Sequence, residues 1–490
     1  MNKIIKIVLF FLILTSCSLD TKSGLWTEKK KIAKEKINKR VILSKKDKKL
    51  ASEYNSDTVI KLSKIIPRND DLNQLTNNNK RTNFDGSIQN ISKYKFSKIK
   101  NFNYFEPEII FDVNNLVFFE NNGNILKFNN ASKLLWEKNY YKKTEKKSKP
   151  MLYLGNTKEK LIVADNLAKI YAMDIKTGDL LWSKTNSAPF NSQIKIYKNK
   201  ILIVDFQDVL RCYSIIDGSE IWSLPTQKTF IKSTKKLSIA IKGEKVVFNN
   251  SIGDISAVNI ESGELQWQVP TQNNLLYENS FSFKTSELVI DRNSIFFSNN
   301  RNRFFSIDLD TGITNWEIKI NSNIKPTIIN ERIFTITNSG LLVILNKKNG
   351  KIERATDVLG QLDKINKSNE IRVKANEKYR ARKKVGTWNW GLKPVSSTEK
   401  TKSSSGRKQK GGWLLGVKPG KSSYLINPVG FVVGKKNIYL TLDNGKMLIL
   451  DIASGQTISS IKIDNEKIST PFVSNNSLYI AKENSIIKLN

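Results

Sequence analysis

From about residue 90 the chain consists of short β-branched and aromatic runs separated by Asn, Asp and Gly, the pattern of strands and turns in an all-β protein. The stretch 160–185, "KLIVADNLAKIYAMDIKTGDLLWSKT", shows the unit in full. It predicts strands over Leu161–Ala164, Ile170–Asp174 and Leu180–Lys184, with "DNLA" as one tight turn and Thr177–Gly178 as the next. The glycine supplies the positive φ that such a hairpin turn needs. Strict alternation would send Leu181 and Ser183 to one face of the last strand, and Leu180 and Trp182 to the other.

The unit recurs. Aligned on the tryptophan, "NNASKLLW" ends at Trp136, "IKTGDLLW" at Trp182, "IIDGSEIW" at Trp222, "IESGELQW" at Trp267 and "LDTGITNW" at Trp316. The separations of roughly 40 to 50 residues suit one four-stranded propeller blade. Two further copies, at Gly350 and Gly455, keep the turn and lose the indole, and Ser132 stands in place of the glycine in the first. One blade cannot bury so large a side chain, but two packed blades can, so the indoles are expected between blades. The tail 476–490 offers two strands without a turn-and-tryptophan partner, and Ser87–Lys100 is the candidate to complete it. The expectation is an eight-bladed propeller of four-stranded antiparallel blades over 87–490, the last blade closed by N- and C-terminal strands, which removes exposed sheet edges.

About 105 residues separate Gly350 from Gly455 where one repeat needs about 45. The excess is assigned to an insertion at 360–424. Its segment 361–421 carries seventeen basic and four acidic residues with Trp388, Trp390 and Trp413 interleaved, a low-complexity composition suited to an anionic lipid or glycan, or to a loop without a fixed ligand.

The N-terminus reads differently. Lys3 and Lys6 precede an apolar run, Ile7 to Leu14, too short to span a bilayer and suited to a secretory signal over residues 1–16. "LTSC", Leu14 to Cys17, resembles the bacterial lipobox, which implies lipidation of Cys17. Ser18 follows where the inner-membrane retention signal would have aspartate, which implies the outer membrane, with the body facing the periplasm. Residues 17–86 are rich in Lys and Asn with little apolar periodicity, and read as a basic flexible tether. The only other cysteine is Cys212, so after lipidation of Cys17 no intrachain disulfide remains and stability must come from a core.

The chain carries 81 basic and 45 acidic residues, net +36. Such a balance ordinarily suggests nucleic acid. Export argues against that partner, and a Lys-, Asn- and Ile-rich composition accounts for most of the charge as solvated surface. Histidine is absent, which removes the commonest general base and excludes a Ser-His-Asp or Cys-His site. A cysteine-based zinc site is excluded too. Asp174, Asp308 and Asp451 sit at the repeat turn, where capping of the hairpin is the ordinary role.

The repeat resembles that of the quinoprotein-type, PQQ-like β-propellers. The tryptophan-aspartate repeat fits poorly, since no Gly-His signature is present. The quinoprotein resemblance raises a dehydrogenase using pyrroloquinoline quinone and calcium. Those enzymes carry a vicinal cysteine pair that this chain cannot form, so neither cofactor nor metal is expected. With the lipobox, the repeats resemble the BamB family, lipoproteins of the outer-membrane β-barrel assembly machinery. That resemblance implies a non-catalytic scaffold whose partners are the periplasmic domains of a BamA-like barrel-forming subunit and other subunits of the machinery. A periplasmic adaptor for another envelope complex has the same signature. The family's partner-contacting loop falls here on Pro270–Leu288, with Leu275, Leu276 and Tyr277 as candidate contacts. The family's arginine has no counterpart within this loop, and Arg292 is the candidate replacement.

Overall fold

In the computed structural model, residues 59–62, 74–100, 102, 105, 107–227, 232–233, 235–272, 283–360, 362 and 426–490 are described. They form eight four-stranded antiparallel sheets, the eight-bladed propeller expected from the repeats. Blades one to seven follow the chain at 110–138, 152–185, 195–225, 239–269, 289–318, 327–357 and 428–462. The eighth takes three strands from 472–489 and its outermost strand, Asn90–Lys95, from the other end of the chain. That strand pairs antiparallel with Ser485–Leu489, Lys95 opposite Ser485 and Tyr94 opposite Ile486.

Because all strands within a blade are antiparallel, the connections between blades and the hairpins joining second to third strands gather on one face. The glycine turns and the hairpins joining first to second strands gather on the other. These are called here the connection face and the turn face. The core is a ring of apolar clusters that bridge neighbouring blades. Leu202 and Val204 of the third blade, for example, meet Ile239, Val246 and Phe248 of the fourth.

Each turn is built as the sequence suggests. The Asp174 carboxylate accepts from the amides of Thr177 (2.9 Å) and Lys176 (2.7 Å), and these bonds, the Thr177 amide first, hold its pKa below the usual carboxylate value. The amide of Gly178 donates to the Asp174 carbonyl at 2.8 Å. One detail departs from the alternation expected of the outer strand. A β-bulge lies between Ala172 and Met173, which pair with Trp182 and Leu180 and leave Leu181 without a partner. Leu180 and Leu181 are therefore both exposed, while Trp182 turns into the seam.

The seams explain the glycine. Trp182 does not pack on Gly178 of its own turn; it packs on Gly218, in the turn of the next blade. A Cβ at Gly218 would come within 2.5 Å of the indole, and the residue has φ +71°. The same relay sets Trp136 over Gly178, Trp222 over Gly263, Trp267 over Gly312 and Trp316 over Gly350. Four of the indoles also donate to a carbonyl of the next blade: Trp182 to Ile215, Trp222 to Ile260, Trp267 to Leu309 and Trp316 to Lys347, at 3.0–3.2 Å. Trp136 is the exception. Lys127 takes the matching carbonyl, Ile175, at 2.8 Å, and the indole nitrogen has no hydrogen-bond partner among the described residues.

Where the sixth blade lacks an indole, Arg354 occupies its place. It is 1% exposed, lies over Gly455 and donates to the carbonyls of Ile452 (2.9 Å) and Ala453. Ser132 completes the logic. It adopts φ +59° without being glycine, and the residue facing its turn from the eighth blade is Ser92, which pairs with Lys488 as Trp182 pairs with Ala172. A left-handed turn alone tolerates a side chain at moderate cost; a left-handed turn under an indole does not.

Gly218→Ala is therefore expected to lower unfolding stability by roughly 2–4 kcal/mol, from left-handed strain plus overpacking. Ser132→Gly is expected to change it by no more than about 1 kcal/mol, in the stabilising direction. Denaturant melts of the two variants check this, and equal losses would refute the relay.

Candidate functional site

A propeller offers three places for function: its axis, its two faces and its rim. In this chain the axis is occupied by its own N-terminal segment. Residues 74–80, which the sequence reading placed in the tether, lie against the inner strands of four consecutive blades. The side-chain amide of Asn77 donates to the carbonyls of Ile239 and Leu288, both at 2.9 Å, and to Gln193 Oε1 at 3.2 Å. Its oxygen accepts from Lys195 Nζ at 2.6 Å. Asn78 accepts from the Ile328 amide and donates to Asp291, at 3.3 and 3.4 Å. Thr76, Asn77 and Asn78 are all buried.

The segment then crosses to the seventh blade. The Thr82 amide donates to the Val433 carbonyl at 2.8 Å, the Lys435 amide to the Phe84 carbonyl at 2.8 Å, and the ring of Phe84 meets Tyr439 edge-on. Further toward the N-terminus, the Ile60 amide donates to the Ala453 carbonyl and Arg332 donates to the Lys61 carbonyl. Val433, Lys435 and Ala453 belong to hairpins and turns of the turn face. The segment is thus a strap across that face, dipping into the axis at Asn77.

Charged side chains surround the axis nearer the connection face. Lys236, entering the fourth blade, pairs with Glu108, entering the first, at 2.6 Å, so this bond spans the axis. Lys325 pairs with Glu287 at 3.1 Å. Burial would raise the pKa of Glu287, yet Lys325, Lys236 and Lys235 bring it down to about 2. Lys195 is buried, and desolvation lowers its pKa to about 8. No cluster of potential metal ligands occurs among the described residues.

The links 270–288 and 358–427 leave and re-enter the blades on the connection face. Leu275, Leu276 and Tyr277 lie outside the described residues, as do Cys17, Trp388, Trp390, Trp413 and nearly all of the 360–424 insertion. The flanks of the first link are placed. Thr271 Oγ1 donates to the Gly253 carbonyl at 2.8 Å, and Leu288 is buried at the start of the fifth blade. Arg292 is not brought to that loop. It follows the inner strand Val289–Asp291, which Leu288 precedes, so Arg292 and Leu288 lie at opposite ends of that strand. Arg292 sits in a hairpin at φ +50° and meets Glu331 of the next blade at 3.3 Å, both side chains well exposed.

Sequence reasoning missed the strap and Arg354. No apolar period marks "LTNNNKRTN", residues 75–83, and an arginine at the indole position reads as surface.

The architecture defines an eight-bladed β-propeller. Residues 121–356 match the family described as "Outer membrane protein assembly factor BamB". Among solved structures, BamB from Moraxella catarrhalis superposes with a TM-score of 0.57 at 14% identity, over 82% of this chain and 99% of that one. The computationally designed Ika8 protein gives 0.54 at 10% identity, over 82% and 99%. The C-terminal WD40 domain of Sif2 gives 0.53 at 9%, over 84% and 98%. An uncharacterized protein of Rickettsia prowazekii (strain Madrid E), RP232, is 19% identical over 310 residues, 53% of this chain and 74% of the relative. A designed protein and a WD40 domain superpose nearly as well as BamB does, so these structural likenesses carry the fold and not the function.

Lys195 supplies a test of the axis. Its folded-state pKa of about 8 lies below the ordinary lysine value of 10.5, so between those pH values the unfolded chain binds more protons and stability rises with pH. Lys195→Met is expected to remove that rise, about 2–3 kcal/mol over the window. Urea melts of both proteins from pH 7 to 10.5 check it, and parallel profiles would show that Lys195 is not buried as a cation.

Proposed function

We propose that this protein is a non-catalytic scaffold of the outer-membrane β-barrel assembly machinery, lipid-anchored at Cys17 and facing the periplasm. The connection face is its docking surface for the periplasmic domains of a BamA-like barrel-forming subunit. The observation that carries this reading is the match of residues 121–356 to the BamB assembly-factor family, joined to the lipobox-like "LTSC". The placement of the strap supports it: its ties to the seventh blade lie on the turn face, Asn77 fills the axis up to the starts of the inner strands at Ile239 and Leu288, and the rim of the connection face is left to a partner. No helix among the described residues is long and apolar enough to cross a membrane; acyl chains on Cys17 would supply attachment, each buried methylene contributing about 0.8 kcal/mol.

The alternative, a quinoprotein dehydrogenase, would place its cofactor on the axis. Asn77 and Lys195 occupy that ground here, each satisfied by the other and by backbone carbonyls. The vicinal cysteine pair of those enzymes has no counterpart in a chain whose only cysteines are Cys17 and Cys212. An adaptor for a different envelope complex has the same anchor and fold, and differs only in the partner.

A photoreactive residue in place of Tyr277, activated in intact envelopes, is expected to capture the barrel-forming subunit through its periplasmic domains. Consistent capture of another envelope protein would replace this reading with the adaptor one. Titration with pyrroloquinoline quinone and calcium is expected to leave the cofactor's absorbance unchanged.

A further inference from the structure

Six of the eight seams are closed by an indole or a guanidinium laid over the next blade's glycine; the two that flank the eighth blade are not. At the position of the indole the seventh blade has Ser459, paired with Ile449, and the eighth has Ser92, paired with Lys488. These seams rely on apolar contacts such as Val432, Tyr439 and Leu478 on one side, and Tyr94, Phe118 and Tyr479 on the other. The same blade is the one whose fourth strand is joined to its third by no turn of the chain. The weakest place in the ring is therefore concentrated in one blade.

We propose that the strap is the lock that holds this ring shut, with Asn77 as its positioning residue. The segment ties the third, fourth, fifth and sixth blades together through Asn77 and Asn78, then the seventh through Thr82, and runs without a break into the fourth strand of the eighth. Gly86 fits against the backbone of Asn490 with no room for a Cβ, and Gln89 and Asn490 exchange both backbone hydrogen bonds at 3.1 Å. A displacement of the eighth blade outward must drag the strap, and the strap is held where four blades converge. The Glu108–Lys236 pair adds a second tie across the axis, from the first blade to the fourth. A single Asn carries much of this because its amide satisfies carbonyls of two blades at once, and an unsatisfied buried carbonyl is costly.

The test is hydrogen exchange, followed by mass spectrometry, on the full-length protein and its full-length Asn77→Ala variant. The expected result is faster exchange by about tenfold or more in Asn90–Lys95 and Ser485–Leu489, far from the substitution. The outer strands of the second to fifth blades, sealed by indoles, are expected to keep their wild-type rates. Acceleration confined to residues 74–80, or spread evenly over all eight blades, would overturn the proposal. Should Asn77→Ala not accumulate as a folded protein, Asn78→Ala removes the strap's milder ties to the fifth and sixth blades and leaves Asn77 in place. It is expected to speed exchange in the eighth blade by a few-fold, and an unchanged eighth blade would count against the lock.

Discussion

The contact on which the ring depends is an indole lying flat on a glycine of the neighbouring blade. It joins two requirements that look local and separate. The turn needs a left-handed residue, which several residue types can supply; the seam needs a bare backbone for the indole to lie on, which only glycine supplies. Where the indole is present, glycine is present on the next blade. Where the indole is missing, as at Ser92, a serine with positive φ suffices in the turn it faces. Arg354 shows that a broad planar group other than an indole can fill the place, since the guanidinium covers Gly455 and reaches the carbonyls that an indole nitrogen would otherwise address.

Much of this was legible in the chain. The repeat of turn, glycine and tryptophan fixed blade length, and the tail without a partner pointed to the strand around 90–95 that completes it. The bulge was hidden, because period-two alternation carries no mark for one extra residue; only the exposure of Leu180 and Leu181 together exposes it. The strap was hidden for a deeper reason. Its stabilisation comes from side-chain amides that answer backbone groups of blades far away in sequence, and asparagine in that role looks the same in a sequence as asparagine in a solvated linker. Arg292 was placed with the 270–288 loop by proximity along the chain, and three residues of inner strand separate it from Leu288, the described end of that link.

The two faces have become unequal. One is crossed by the chain's own N-terminal segment, whose buried asparagines leave it little freedom to yield to a visitor. The other gathers the long links between blades, where variable length is tolerated because the strands on either side are fixed by the seams. A scaffold needs this asymmetry: a side committed to holding itself together and a side free to engage. Many lysines of the described body, such as Lys127, Lys245 and Lys347, are tied to carboxylates within their own or the adjacent blade.

Strand exchange in the last blade also sets an order of assembly. Asn90–Lys95 can find its partner only after Ser485–Leu489 has emerged, nearly the whole length of the chain later. Until then the first blade has no neighbour on one side, and a hydrophobic flank including Tyr94 and Phe118 stays wet. Pairings so distant in sequence form slowly and leave sticky intermediates, so the nascent chain has reason to be shielded by chaperones until the circle is complete.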